Sequence, residues 1–249
     1  MYPYIYITQN IVIPTYLLVI SLTYCLCILF VYWRAKNRPE FAVSRALDIC
    51  LVIMVCGLMG ARLFHVFYED FNYYRQSPWD IFKLWHGGFV IYGGFIGALL
   101  GSILFLRYKK EPFWQWANFM APAFALGYGL GRLACFFNGC CFGRECQLPW
   151  AVEFSYIGLP SGHRHPTQLY ATFWELGVFF LLLHLEKSKR PKPIFLIWLC
   201  LHAIGRLIME HFRDDFRGPE IMGLSVSSWL SISILGLALV TNFVSKAAK

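Results

Sequence analysis

Residues 14–33 read PTYLLVISLTYCLCILFVYW, twenty residues without a charge. A helix rises about 1.5 Å per residue, so this stretch spans roughly 30 Å, the thickness of a bilayer's hydrocarbon core. Six further apolar stretches follow at 46–68, 88–106, 113–137, 168–185, 194–209 and 227–244. The sixth is short and is expected to continue past Glu210 inside a protein-lined cavity. The whole chain is 58% hydrophobic and 14% charged, with a mean hydropathy of +0.52. Soluble domains carry about a quarter charged residues, so this chain has too few charges to cover a water-facing surface. The pattern predicts an all-α integral membrane protein with about seven transmembrane helices, forming a single membrane domain over 1–249. No internal repeat is visible. The opening MYPYIYITQN lacks the basic region of a cleavable signal, so the first apolar segment is expected to stay as a helix.

The net charge of +8 would point to nucleic acid in a soluble protein. Here the position of the charge gives a plainer account. Thirteen Lys and Arg fall in the loops after the first, third and fifth spans and in the tail, against six in the alternate loops. The positive-inside rule places the richer side in the cytoplasm, with the N-terminus outside and the C-terminus inside. No nucleic-acid partner and no cofactor are expected. The remaining basic residues, Arg62, Arg132 and Arg206, lie inside spans. An intramembrane arginine costs roughly 3 kcal/mol unless paired or hydrated, which makes each a functional candidate. In this topology all three sit in the outer half of the membrane. Guanidinium forks match phosphate oxygens, so the arrangement points to a phospholipid headgroup at the outer face. The plainer alternative is structural pairing, for example Arg206 with Glu210 one turn later.

Two other features allow more than one reading. Gly93, Gly97 and Gly101 recur every four residues in HGGFVIYGGFIGALLG, His86 to Gly101. Such a smooth face serves close helix packing or leaves space for a lipid chain. Cys135, Cys140, Cys141 and Cys146 fall within twelve residues but lack the two CxxC pairs of a zinc site. Free thiols are expected there, with a disulfide second and a metal last.

The polar motifs resemble one family, the prolipoprotein diacylglyceryl transferases. GRLACFFNG (Gly131 to Gly139) is similar to the family's Gly-Arg to Asn-Gly signature. HPTQLY (His165 to Tyr170) is similar to its His-Pro-Ser-Gln-Leu-Tyr helix opening. WHGGFVIYGGFIG (Trp85 to Gly97), the Arg206 to Glu210 spacing with Phe212-Arg213, GLSVSSWLS (Gly223 to Ser231) and Tyr16 follow in matching order. The resemblance implies transfer of diacylglyceryl from phosphatidylglycerol to the lipobox cysteine of a prolipoprotein, in the bacterial inner membrane. It implies that Arg132 and Arg206 hold the phosphate; His202 and Tyr92, where the chain departs from the family, are read as the other catalytic residues. Tyr16, Arg62, Asn138, Gly143, His165, Gln168, Tyr170 and Glu210 are implied to bind substrate.

The chain departs from the family at Tyr92, where many members have histidine, and at His202, where many have tyrosine. Cys135 and Cys140 stand where asparagine and glutamate are common. The paired change at 92 and 202 suggests that the imidazole has moved to the sixth span, where His202 accepts the thiol proton and Tyr92 donates to a lipid oxygen. Two alternatives follow: a related phospholipid-dependent transferase with another acceptor, and a lipid or small-anion transporter.

Overall fold

Each apolar stretch becomes a helix. The protein's structure is a computed structural model that describes residues 3–8, 11–83, 87–154, 162–188, 192–214 and 222–247. Trp85 and His86, and the loop cations Lys189, Arg190, Arg217 and Lys249, lie outside the described residues. The helices are α1 (Thr15–Lys36), α2 (Val43–Phe64), α3 (Phe71–Gln76), α4 (Ile91–Tyr108), α5 (Phe113–Asn138), α6 (Thr167–Glu186), α7 (Ile194–Phe212) and α8 (Val226–Ala247). Five apolar segments are long enough to cross a membrane: α1, α2 with its π-turn extension to Glu69, α5, α6 and α7. The apolar parts Tyr92–Tyr108 and Val226–Ala238 are shorter. The chain is an all-α, multi-pass membrane protein. α7 runs past Glu210 to Phe212, as its short apolar run anticipated. The sequence reading did not foresee the hairpin ahead of α1, where β1 (Tyr4–Thr8) pairs antiparallel with β2 (Ile11–Pro14). Its aromatic and β-branched residues favour strand.

By internal packing the fold forms two compact units. One unit comprises Met1–Cys27 with Ala117–Lys249, and the other Ile28–Trp116. In the second, α2 and α4 pack backbone to backbone. A Cβ on Gly60 would lie 2.3 Å from the Gly93 carbonyl oxygen, and one on Gly97 2.3 Å from the Cys56 carbonyl oxygen. A Cβ on Gly101 would meet the Cys56 sulfur at 2.5 Å. The glycine stripe is thus a packing face, filled by α2. Overpacking a tight core costs about 1–3 kcal/mol even where side chains can shift, and here the obstacle is backbone. Gly97→Leu is expected to lower the unfolding temperature in detergent by several degrees or abolish insertion; a thermal-shift scan checks it.

Arg62, in the same unit, corrects an expectation. Its Nε donates to Ile81 O at 3.1 Å, Nη1 to the carbonyls of Gly87 and Gly88, and Nη2 to Asp80 O at 2.7 Å and Lys83 O at 3.2 Å. A guanidinium has five N–H donors, and carbonyls take all five. Tyr74 and Phe89 flank it, ring centroids 5.3 and 5.8 Å away. Arg62 holds the backbone of residues 80–83 and of Gly87 and Gly88, and keeps no donor for a phosphate.

In the first unit α5, α6 and α7 interlock through polar contacts at small residues. The Thr172 hydroxyl donates to Gly129 O at 3.0 Å, and Trp174 Nε1 to Leu201 O at 3.0 Å. Gly205 makes way for that indole, since a Cβ there would meet Trp174 Nε1 at 2.2 Å. The first turn of α7 has amides without helical partners. Asn118 Oδ1 accepts one of them, from Phe195, at 2.9 Å.

Candidate active site

Three helices of the first unit each turn one stripe toward a shared cleft. Residues four and seven apart lie on one helix face. α5 supplies Tyr128 and Arg132; α6 supplies Gln168 and Glu175; α7 supplies His202 and Arg206. Cys141 and Arg213, from the loops after α5 and α7, complete the rim. The cleft encloses about 350 Å³, its open mouth included. It lies at the C-terminal ends of α5 and α7 and the N-terminal end of α6.

Its cations differ from Arg62 in what they leave unused. Arg132 stacks on the Tyr128 ring, 4.6 Å from the centroid, and donates to that tyrosine's hydroxyl. Arg206 donates to Ser227 Oγ at 3.0 Å and pairs with Glu210 at 3.3 Å. Among the described residues neither has a further hydrogen-bond partner, so several guanidinium N–H groups remain for a ligand. Arg213, 8% exposed, adds a third positive charge. Acceptors are spare as well. Gln168 and Glu175 are 1% and 2% exposed, and Gln168 Oε1 and Glu175 Oε2 have no partner among the described residues. Buried polar atoms normally have partners, so the cleft suits a ligand that offers both an anion and hydrogen-bond donors.

Glu175 also orients the histidine. Its Oε1 lies 2.6 Å from His202 Nδ1. With the carboxylate accepting from Nδ1–H, the lone pair falls on Nε2, as in the carboxylate-histidine pairs of hydrolases. The imidazole is wedged edge-on against Tyr128, centroids 4.4 Å apart, and packs on Trp198 at 5.5 Å. The composition of this cleft, two arginines with open donors around a carboxylate-held histidine, suits an enzyme that binds a phosphate and moves a proton. A family comparison agrees: the prolipoprotein diacylglyceryl transferase model matches residues 3–244.

The chain belongs to the prolipoprotein diacylglyceryl transferase family.

A phosphatidylglycerol–prolipoprotein diacylglyceryl transferase of Nitrosomonas europaea is 34% identical over 236 residues, 90% of this chain and 84% of its own. One of Bordetella avium is 36% identical over 225 residues, 85% and 84%. One of Nitrosospira multiformis is 33% identical over 212 residues, 82% and 72%.

The other residues singled out from this transferase family's motifs take different places. Gln168 lines the cleft and donates from Nε2 to Cys140 O at 2.6 Å. Asn138 ends α5, where Gly139, with φ of 75°, reverses the chain. Tyr16, at the start of α1, lies within electrostatic reach of Arg132. His165 and Tyr170 are not among the cleft residues. They join each other, Nδ1 to hydroxyl at 3.1 Å, and form a ring cluster with Phe212. Gly143 is a crossing point, where a Cβ would meet His165 Cβ at 2.6 Å and Phe212 O at 2.7 Å. These three brace the loops that roof the site. Tyr92, the second residue of α4, belongs to the second unit. Glu175, Tyr128 and Arg213 join the site without having been singled out for it.

Proposed function

We propose that this chain transfers the diacylglyceryl group of phosphatidylglycerol to the cysteine thiol of a prolipoprotein lipobox. The reading includes a site at the outer face of the bacterial inner membrane and an N-terminus on that side, supported by the loop charges. The observation that carries it is the pairing of unmet donors with unmet acceptors in one cleft. Arg132 and Arg206 offer N–H groups to a phosphate, while Gln168 Oε1 and Glu175 Oε2 offer lone pairs to hydroxyls. Phosphatidylglycerol presents a phosphodiester and two headgroup hydroxyls, which supplies both.

In the proposed step His202 Nε2 takes the proton of the acceptor thiol. The thiolate is the nucleophile, and it attacks the glycerol carbon that carries the phosphate ester. A carbon–sulfur bond forms and the carbon–oxygen bond breaks. Glycerol phosphate leaves with the electron pair, and His202 returns the proton to it. Arg132 and Arg206 stabilise the charge that grows on the leaving phosphate, the kind of electrostatic work that usually dominates catalysis. Expression of this chain in a bacterium depleted of its own prolipoprotein transferase is expected to restore growth and thioether-lipidated lipoproteins. A well-inserted chain that restores neither would refute the reading.

A further inference from the structure

We infer that Cys135, Cys140 and Cys141 form a three-thiolate site for one thiophilic d10 metal ion, of the zinc, cadmium or copper(I) class, at the end of α5. The linear spacing argues against a metal because it has no pair of CxxC turns. The fold removes that objection. α5 ends in a reversal in which the Cys140 amide donates to Cys135 O at 3.2 Å and the Gly139 amide to Phe136 O at 3.1 Å. This six-to-one and five-to-two pattern closes a helix through a glycine in the left-handed region, and Gly139 has φ of 75°. The reversal carries Cys140 and Cys141 back over the last turn. Cys141 itself is held at φ of 66°, unusual for a residue with a side chain. The result places the three sulfurs within 4.8 Å of one another, all partly buried.

Three converging sulfurs fit a metal better than a disulfide, which uses two and strands the third. With metal–sulfur bonds of about 2.3 Å, a trigonal site has sulfurs roughly 4 Å apart, and the three sulfurs lie within 4.8 Å of one another. A fourth position stays open to water or an added ligand. Charge supports the same conclusion. Arg213 and Arg132 lie within electrostatic reach of Cys141. Metal binding releases the thiol protons. A divalent ion on three thiolates carries a net single negative charge, so the neighbouring arginines favour the filled site. Arg132 lies within electrostatic reach of Cys135 and Cys141. The filled site therefore competes with a phosphate for that guanidinium, a consequence that rests on the proposed function; the binding itself does not.

The test uses the reduced, metal-free, full-length chain in detergent, titrated with Cd2+ while the thiolate-to-cadmium ultraviolet band is followed. One Cd2+ per chain is expected, displaced by Zn2+. Loss of an outer-shell partner costs a metal site about 10- to 100-fold in affinity, so Cys135→Ser and Cys140→Ser, each losing a ligand, are expected to weaken it at least about 100-fold. Cys146→Ser is the matched control and keeps the site. Thermal unfolding of each variant confirms folding. No saturable band in the parent, or an unchanged band in Cys135→Ser, overturns the site. So does a Cys135–Cys140 or Cys135–Cys141 disulfide as the main species in non-reducing mass spectra. In transfer assays Cd2+ is expected to raise the KM for phosphatidylglycerol several-fold in the parent and not in Cys135→Ser. An unchanged KM with the site filled refutes the competition and leaves the metal site standing.

Discussion

Arg132→Ala is expected to lower diacylglyceryl transfer by roughly 100- to 1,000-fold, the range seen when one preorganised donor to a developing anion is removed. The expectation follows from what Arg132 leaves undone. It stacks on Tyr128 and donates to that hydroxyl, but its remaining N–H groups have no partner among the described residues. Arg62 provides the internal contrast, with every donor on a carbonyl. Arg62→Ala should therefore act through the stability of the backbone that it holds. Arg132→Lys is also expected to fail, because an ammonium cannot offer the paired N–H groups of the fork. Transfer measured at several lipid concentrations checks this: the Arg132 variants should raise KM and lower kcat together. Near-normal transfer by folded Arg132→Ala would remove Arg132 from the site.

His202→Phe is expected to lower kcat by roughly 100- to 10,000-fold, the span of general acid–base contributions, with little change in the KM for phospholipid. Glu175→Gln should fall in the same direction, since an amide facing Nδ1 permits the wrong tautomer, and Glu175→Asp should recover part of the loss. If the two act as one unit, the double variant is no worse than His202→Phe alone. Residues in contact are non-additive whatever their role, so the loss in kcat at little changed KM, with partial recovery in Glu175→Asp, is what separates a positioning role from a merely structural one. Additive losses, or a His202→Phe protein as active as the parent, would end the assignment.

The helices were legible because a bilayer imposes a simple rule, and each apolar stretch could be marked from charge and length alone. The beginning of the chain was less so: the Tyr4–Pro14 hairpin is too short to give a period that outweighs the adjoining span. Within the cleft, Arg132 and Arg206 were legible because an ionisable residue in an apolar run has few reasons to be there, and His202 because it departs from the family the motifs resemble. Glu175 carried the same signal, a carboxylate in the middle of the fifth span, and the same argument applied to anions would have found it. Tyr128 gave no such signal, being one aromatic residue among many. Arg62 misled for a physical reason, since sequence cannot say whether a buried guanidinium is spent on backbone carbonyls or kept open. The glycine stripe was ambiguous until the carbonyls of Cys56 and Gly60 showed what fills it. That the sulfurs of Cys135, Cys140 and Cys141 converge was not legible from linear spacing, because the chain reversal at Gly139 is a three-dimensional fact.

The most direct measurement is chemical. The purified chain is incubated with phosphatidylglycerol vesicles and a synthetic peptide bearing a lipobox cysteine, and the peptide is analysed by mass spectrometry. The account predicts a peptide heavier by one diacylglyceryl group, linked to sulfur as a thioether, with glycerol phosphate released in equal amount. It also predicts that the peptide with serine at that position stays unmodified. A folded chain that binds phosphatidylglycerol yet yields neither lipidated peptide nor glycerol phosphate would contradict it.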